Sequence, residues 1–195
     1  MNQKHVRSYP ELIILLSHLP SKKPMLIGID GRPGSGKTTL VVQLEQTLKA
    51  QTIYLDEFFI PQRAWPQDQS PRFPFFYFRY EEFVNGIKAL ANGKPFTYHA
   101  YDGQTDSPSA TSITIQPKGI IIVEGVSALN AELAPLYHTK IWVESDRTTE
   151  LAALKKRELA KNWDIWHNVY LPSIEIYCMQ KPWERADIIY QGRLK

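Results

Sequence analysis

The octet Gly31-Arg32-Pro33-Gly34-Ser35-Gly36-Lys37-Thr38 constrains this chain more than any other feature, because it fills the pattern G-x-x-x-x-G-K-[ST] in full. The residue types follow from a physical demand. A polyphosphate is wrapped by backbone N–H groups, and glycine lets the chain curl that closely with positive φ. The unpaired N–H groups and dipole at the start of the next helix then face the anion. The context agrees: residues 25–29 are an apolar run, and Leu40, Val41, Leu44 and Leu48 recur at helical spacing after the loop. Strand, loop and helix together predict a nucleoside-triphosphate site, with Lys37 at the β- and γ-phosphates and the Thr38 hydroxyl on magnesium. Thr39 follows as a further helix N-terminal residue, placed to reach toward the α-phosphate.

Around this unit, strands alternate with helices. The spacing predicts a helix near the N-terminus between Pro10 and Pro20, a helix over residues 37–49 and a short strand over 52–55. Residues 60–78 hold Pro61, Pro66, Pro71 and Pro74 among six aromatics, which rules out a regular element and predicts a long loop over one sheet edge. A helix from about residue 80 stops at Asn92-Gly93. Residues 96–101 and 112–115 alternate apolar and polar and pair as a hairpin. Residues 119–123 and 140–143 read as buried parallel strands, followed by helices over 148–161 and 166–180 and a last strand at 188–190. The expected fold is an α/β three-layer sandwich of the P-loop type, with a mostly parallel sheet and helices on both faces. Residues 1–195 are taken as one domain, with a docking helix within 1–22, a small β-hairpin at 96–116 and a helical lid at 147–165.

Composition narrows the partners. The net charge is +3, and no basic run exceeds Lys155-Lys156-Arg157, so no nucleic-acid surface is expected. The longest N-terminal apolar run, Leu12 to Leu16, is too short to span a bilayer, so neither a membrane span nor a membrane partner is expected. Cys178 is alone, which excludes an intrachain disulfide and reads as a buried small hydrophobe in a reducing, cytoplasmic setting. Homo-oligomerisation is left open.

A phosphate loop alone does not separate a kinase from a switch or a motor. The separating feature is a carboxylate at the C-terminal end of a neighbouring strand, where open α/β sheets bind ligands. Two candidates stand there: Asp56 in Asp56-Glu57-Phe58-Phe59, and Glu124 immediately before Gly125. On the functional reading Asp56 is a general base and Glu124 holds magnesium. The bland alternative is a solvated carboxylate at each strand end.

These residues resemble a known family. Gly28-Ile29-Asp30-Gly31 through Thr39, Leu55-Asp56-Glu57-Phe58-Phe59, Tyr101-Asp102, Val123-Glu124-Gly125 and Ala186-Asp187-Ile188-Ile189 occur in the order typical of the uridine kinase and phosphoribulokinase family. The resemblance implies ATP and Mg²⁺, Asp56 as base, Glu124 as a magnesium ligand, Tyr101 against the acceptor and residues 186–192 near adenine. It also implies that the hairpin is an acceptor-side flap and that the helix carrying Lys155, Lys156 and Arg157 flanks the lid. The chain departs from the family pattern at three places. Phe73-Pro74-Phe75-Phe76 stands where uridine kinases usually carry an acidic residue, Glu150 and Ala152 to Leu154 stand where they carry lid arginines, and Asp106 stands near a usual His.

The expected activity is transfer of the γ-phosphoryl group of ATP to a hydroxyl of a nucleoside-like or sugar-like small molecule. Lys37 and Asp56 are the catalytic residues, and Tyr101, Arg79 and Arg157 are candidates on the acceptor side. Two alternatives stay open: a regulatory nucleotide-binding module without an acceptor, and a kinase whose acceptor phosphate is read by Arg63, Arg72 or Arg79. The aromatics of residues 73–78 are either a sandwich for a flat acceptor or a plain cover, and the tryptophans read as packing.

Overall fold

The computed structural model describes residues 3–18, 24–158 and 163–192, with the side chains of Arg157 and Glu158 outside that description. Its centre is a six-stranded, fully parallel sheet in the order β1-β8-β7-β2-β6-β3. The strands are β1 (Lys4–Val6), β2 (Met25–Gly31), β3 (Gln51–Tyr54), β6 (Ile120–Glu124), β7 (Thr139–Glu144) and β8 (Ile188–Gln191). A separate antiparallel hairpin joins β4 (Phe96–Asp102) to β5 (Ser107–Ile115).

All seven residues of β2 are buried, as both faces of a central parallel strand must be. Alternate side chains feed two cores. Ile27 and Ile29 pack with Leu12 of α1 (Tyr9–Ser17) and with Leu40, Val41 and Leu44 of α2 (Lys37–Leu48). Leu26 points the other way, into an aromatic-rich core with Phe83, Ile87 and Leu90 of α3 (Tyr80–Ala91). Helices therefore cover both faces, which is the three-layer arrangement expected.

Several boundaries differ from the sequence reading. Strand β1, unforeseen, pairs with β8 at the sheet edge through Lys4↔Ile188 to Val6↔Tyr190. Three residues give no periodicity to detect, and only pairing makes them a strand. Helix α1 starts behind Ser8, whose hydroxyl accepts from the Glu11 N–H, and Pro10 sits in its first turn; Pro20 lies outside the described residues. β3 ends one residue before the expected stop, and Leu55–Phe58 curls into a 3₁₀ turn that carries Asp56. Helix α4 (Arg147–Glu158) covers the described part of the expected 148–161 helix. The expected last helix is composite: α5 (Trp163–Ile165), a π-helical turn (Trp166–Tyr170) and α6 (Leu171–Cys178). The 60–78 segment is irregular as expected, tied down by an isolated bridge between Phe59 and Phe78.

Register fixes the site. Ile29 of β2 stands opposite Glu124 of β6, and Tyr54 of β3 stands opposite the same Glu124. Parallel pairing thus brings the phosphate loop, Glu124 and the turn holding Asp56 to one end of the sheet. That is the end at which open parallel sheets bind ligands.

Candidate active site

The loop after β2 supplies the anion-binding floor. Gly36 caps α2 with φ 102° and no side-chain hydrogen bond to the helix start. The first N–H groups of α2 are therefore left for a ligand rather than for a cap. Gly34 takes φ +84°, and a methyl there would overlap the Glu150 carbonyl, so only glycine lets α4 lie against the loop. The Ser35 hydroxyl is buried without a hydrogen-bond partner among the described residues. An orphaned donor in such a loop suits a phosphate oxygen. Gly192, just past β8, packs on the Ser35 carbonyl and hydrogen-bonds the Glu144 carbonyl, so the end of the 186–192 segment lies beside the loop.

Behind the loop, Asp30 is fully buried and accepts from the backbone N–H groups of Gly31, Ser127 and Leu129 and from the Tyr177 hydroxyl. Burial pushes its pKa up, and those donors pull it back. Asp30 ties the start of the loop to the turn after β6 and to α6. The sequence reading gave it no role, since its partners lie about one hundred residues and more downstream.

Lys37 is buried, with Nζ 3.1 Å from the Arg32 carbonyl and 4.0 Å from Glu124 Oε1. The Thr38 hydroxyl donates to Glu124 Oε2 at 3.4 Å. Burial pushes the Glu124 carboxyl up to about 7; the Asp56 charge adds to this, while Lys37 and Thr38 oppose it. A hydroxyl beside a desolvated carboxylate is an all-oxygen donor set, the kind that fits a hard divalent cation. Such a cation would restore the ionised carboxylate, because metal binding expels the proton.

These groups share one cavity of about 190 Å³. Pro33, Gly34, Gly36, Lys37, Thr38 and Thr39 form its floor, and Asp56 and Glu124 stand at its side. The rest of its lining is mostly aromatic: Phe75, Tyr77 and Phe78 come from the long loop, Trp166 and Tyr170 from the π-helical turn. Trp166 packs against the aromatic core, as the sequence predicts, and also lines the cavity. The π turn explains its placement, since the Leu171 N–H bonds the Trp166 carbonyl five residues back and the widened turn directs both rings to one side.

Tyr101 and Arg79 are not among the residues that line this cavity. Tyr101 donates to Asp106 Oδ1 at 2.9 Å, and its ring lies 5.8 Å from that of Phe59. Arg79 fixes the hairpin instead of facing the cavity: it binds Glu82 at 2.8 Å, the Glu57 carbonyl at 3.0 Å and the His99 carbonyl at 2.6 Å, and it lies over the Phe58 ring. The Arg157 side chain lies outside the described residues. Beside the loop, Arg32 makes a bidentate pair with Glu175 at 2.6 and 2.9 Å, and Arg147 binds the same carboxylate at 2.8 Å. This network holds α4, α6 and the phosphate loop together, and it was not legible in sequence. Cys178 is buried as expected, its thiol pushed up to about 12 by burial. Among the described residues, no helix is long and apolar enough to cross a membrane.

The sheet order, the glycine loop at the β2–α2 junction and the strand-end carboxylates define a P-loop nucleotide-binding protein. Comparison with known proteins agrees. The KAP family P-loop domain matches residues 8–171. The uridine kinase of Macrococcus caseolyticus is 33% identical over 135 residues, covering 64% of each chain, so this chain spans under two thirds of that relative's length. The uridine kinase of Staphylococcus aureus (strain Newman) is 30% identical over 162 residues, covering 77% of each. Among solved structures, a possible uridine kinase from Bacillus stearothermophilus superposes with TM-score 0.73 at 20% identity, over 92% of this chain and 95% of that one. Phosphoribulokinase from Rhodobacter spheroides superposes with TM-score 0.64 at 17% identity, over 88% and 71%. At those identities the structural likeness speaks for the fold alone. The chain belongs to the KAP family of P-loop domains and to the uridine kinase family.

Proposed function

We propose that this protein transfers the γ-phosphoryl group of ATP to a hydroxyl of a small metabolite. One observation carries the reading: a strand-end carboxylate, Asp56, shares a cavity with the phosphate loop, Lys37 and Glu124. The acceptor oxygen attacks the γ-phosphorus, the bond from that phosphorus to the β–γ bridging oxygen breaks, and its electrons leave with ADP. The acceptor's proton passes to the Asp56 carboxylate. Lys37 offsets charge on the transferring group, and the loop N–H groups hold the phosphates. Thr38 and Glu124 would hold Mg²⁺, which when bound neutralises phosphate charge. The names of the relatives support a nucleoside-like acceptor as one class to assay, beside sugars.

The test is Asp56→Asn. Turnover should fall by about 10²- to 10⁴-fold, the usual worth of a positioned base, while ATP affinity stays within about twofold. Transfer at the parental rate would remove Asp56 from the role of base. ATP turnover that no acceptor increases would favour the regulatory-module reading.

A further inference from the structure

We infer that the acceptor is a flat, uncharged alcohol, an aromatic or heteroaromatic ring bearing a short hydroxyalkyl arm, and not a sugar phosphate or a ribonucleoside. This rests on the kinase reading and narrows it. The cavity's lining divides by chemistry. Its polar side chains come from the phosphate loop, Asp56 and Glu124, whereas its rings are Phe75, Tyr77, Phe78, Trp166 and Tyr170. The rings form a continuous surface: Phe75 stacks on Tyr77 at 5.4 Å and 15°, Tyr77 meets Tyr170 at 4.5 Å, and Trp166 meets Tyr170 at 5.0 Å. The Tyr77 hydroxyl is engaged with Ser173. Phe75, Tyr77, Phe78 and Tyr170 are buried against one another, and the half-buried Trp166 is the ring able to offer a face to a flat ligand.

Among the described residues, Arg63, Arg72, Arg79 and the Tyr101–Asp106 pair are engaged with other groups. Arg63 binds the Asp106 carbonyl at 2.7 Å. Arg72 binds the Asp68 carbonyl at 3.0 Å and lies over the Phe76 ring at 4.5 Å. Arg79 is held by Glu82 and two carbonyls, as described above. Tyr101 and Asp106 bind each other. A phosphate or a ribose diol seated against the rings would lose its water without gaining replacement hydrogen bonds, which makes such ligands costly. A ring with one hydroxyl arm loses little water, stacks on the wall and turns its single polar group toward Asp56. The cavity of about 190 Å³, below the ~300–1,000 Å³ usual for ligand pockets, also takes in the phosphate floor, so the space left favours a compact acceptor.

The experiment assays the full chain with ATP and Mg²⁺ against three acceptor sets: hydroxymethyl-substituted arenes and heteroarenes, uridine with cytidine, and ribose 5-phosphate with ribulose 5-phosphate. The first set should give kcat/KM at least about tenfold above the other two, within the range a mismatched pocket supplies. Trp166→Ala should raise KM for the flat alcohol about tenfold, the loss of one stacking face, with KM for ATP unchanged; Trp166→Phe should restore most of it. Binding of the flat alcohol by calorimetry reports the same contact for any variant too slow to assay. A larger kcat/KM for uridine or for a sugar phosphate overturns this inference and leaves the kinase reading standing. If no set raises turnover while calorimetry still detects ATP, the kinase reading fails and this inference fails with it.

Discussion

The floor and the wall of the cavity are built in opposite ways. The floor comes from one contiguous segment, residues 33–39, whose geometry is carried by glycines at 34 and 36 and by the start of α2. The wall is assembled from two segments about ninety residues apart, and its contacts are side-chain rings. A floor of this kind works the same way in any protein that folds it, because the phosphate it binds does not change. On the proposed reading the wall selects the acceptor, and it doubles as hydrophobic core: Phe75 is 1% exposed and Tyr77 2%. Substitutions in the wall should therefore act on stability and selectivity, and those in the floor on turnover.

The largest expected effect tests the wall as core. Phe75→Ala should cost about 3–5 kcal/mol of stability, as removal of a buried phenyl ring does, read as the midpoint of chemical denaturation. A loss below about 1 kcal/mol would mean that the wall is not core. Next, Lys37→Ala should lower turnover by about a hundredfold or more while leaving the denaturation midpoint close to the parent. A variant that unfolds instead would erase the contrast between the halves. Gly34→Ala forces a side chain into φ +84° against the Glu150 carbonyl and should weaken ATP binding at least about tenfold by calorimetry.

The smallest effect concerns pH. Burial raises the Glu150 carboxyl above its ordinary 4.5, with Arg32 and Arg147 opposing the shift. In the window just above pH 4.5 the folded state keeps a proton that the unfolded chain has released. Stability from this group is therefore fully present below that pH and is lost as pH rises through the folded-state value. Glu150→Gln should flatten the fall in melting temperature between pH 5 and pH 8, and an unchanged slope would exclude Glu150 as a source.

The parts legible in sequence were those with a local cause. The glycine loop, the amphipathic stripe of α3 and the apolar run of β6 each state their structure within a dozen residues. The strand-end carboxylates were legible because a strand followed by an acid marks one end of a sheet. Strand β1 was missed because three residues carry no period. Asp30 was missed because its meaning lies in N–H groups of residues 127 and 129 and the hydroxyl of residue 177. Trp166 packs as expected, but its place in the cavity lining was not legible, because a tryptophan in a helix reports only that something apolar lies near it and the π turn that carries it is not a feature of composition.

By itself, the sequence determined a loop shaped to wrap an anion, since the backbone torsions that do so are specified by glycines close together in the chain. It also determined an alternation of strands and helices that admits few folds. Only the tertiary structure decided what faces the phosphates. Parallel pairing carried Asp56 and Glu124 to the loop, and packing drew the arginines that looked available into pairs with Asp106, Asp68 and Glu82. The physical reason is that main-chain conformation is set by neighbours in sequence, whereas the partner of a side chain is set by neighbours in space.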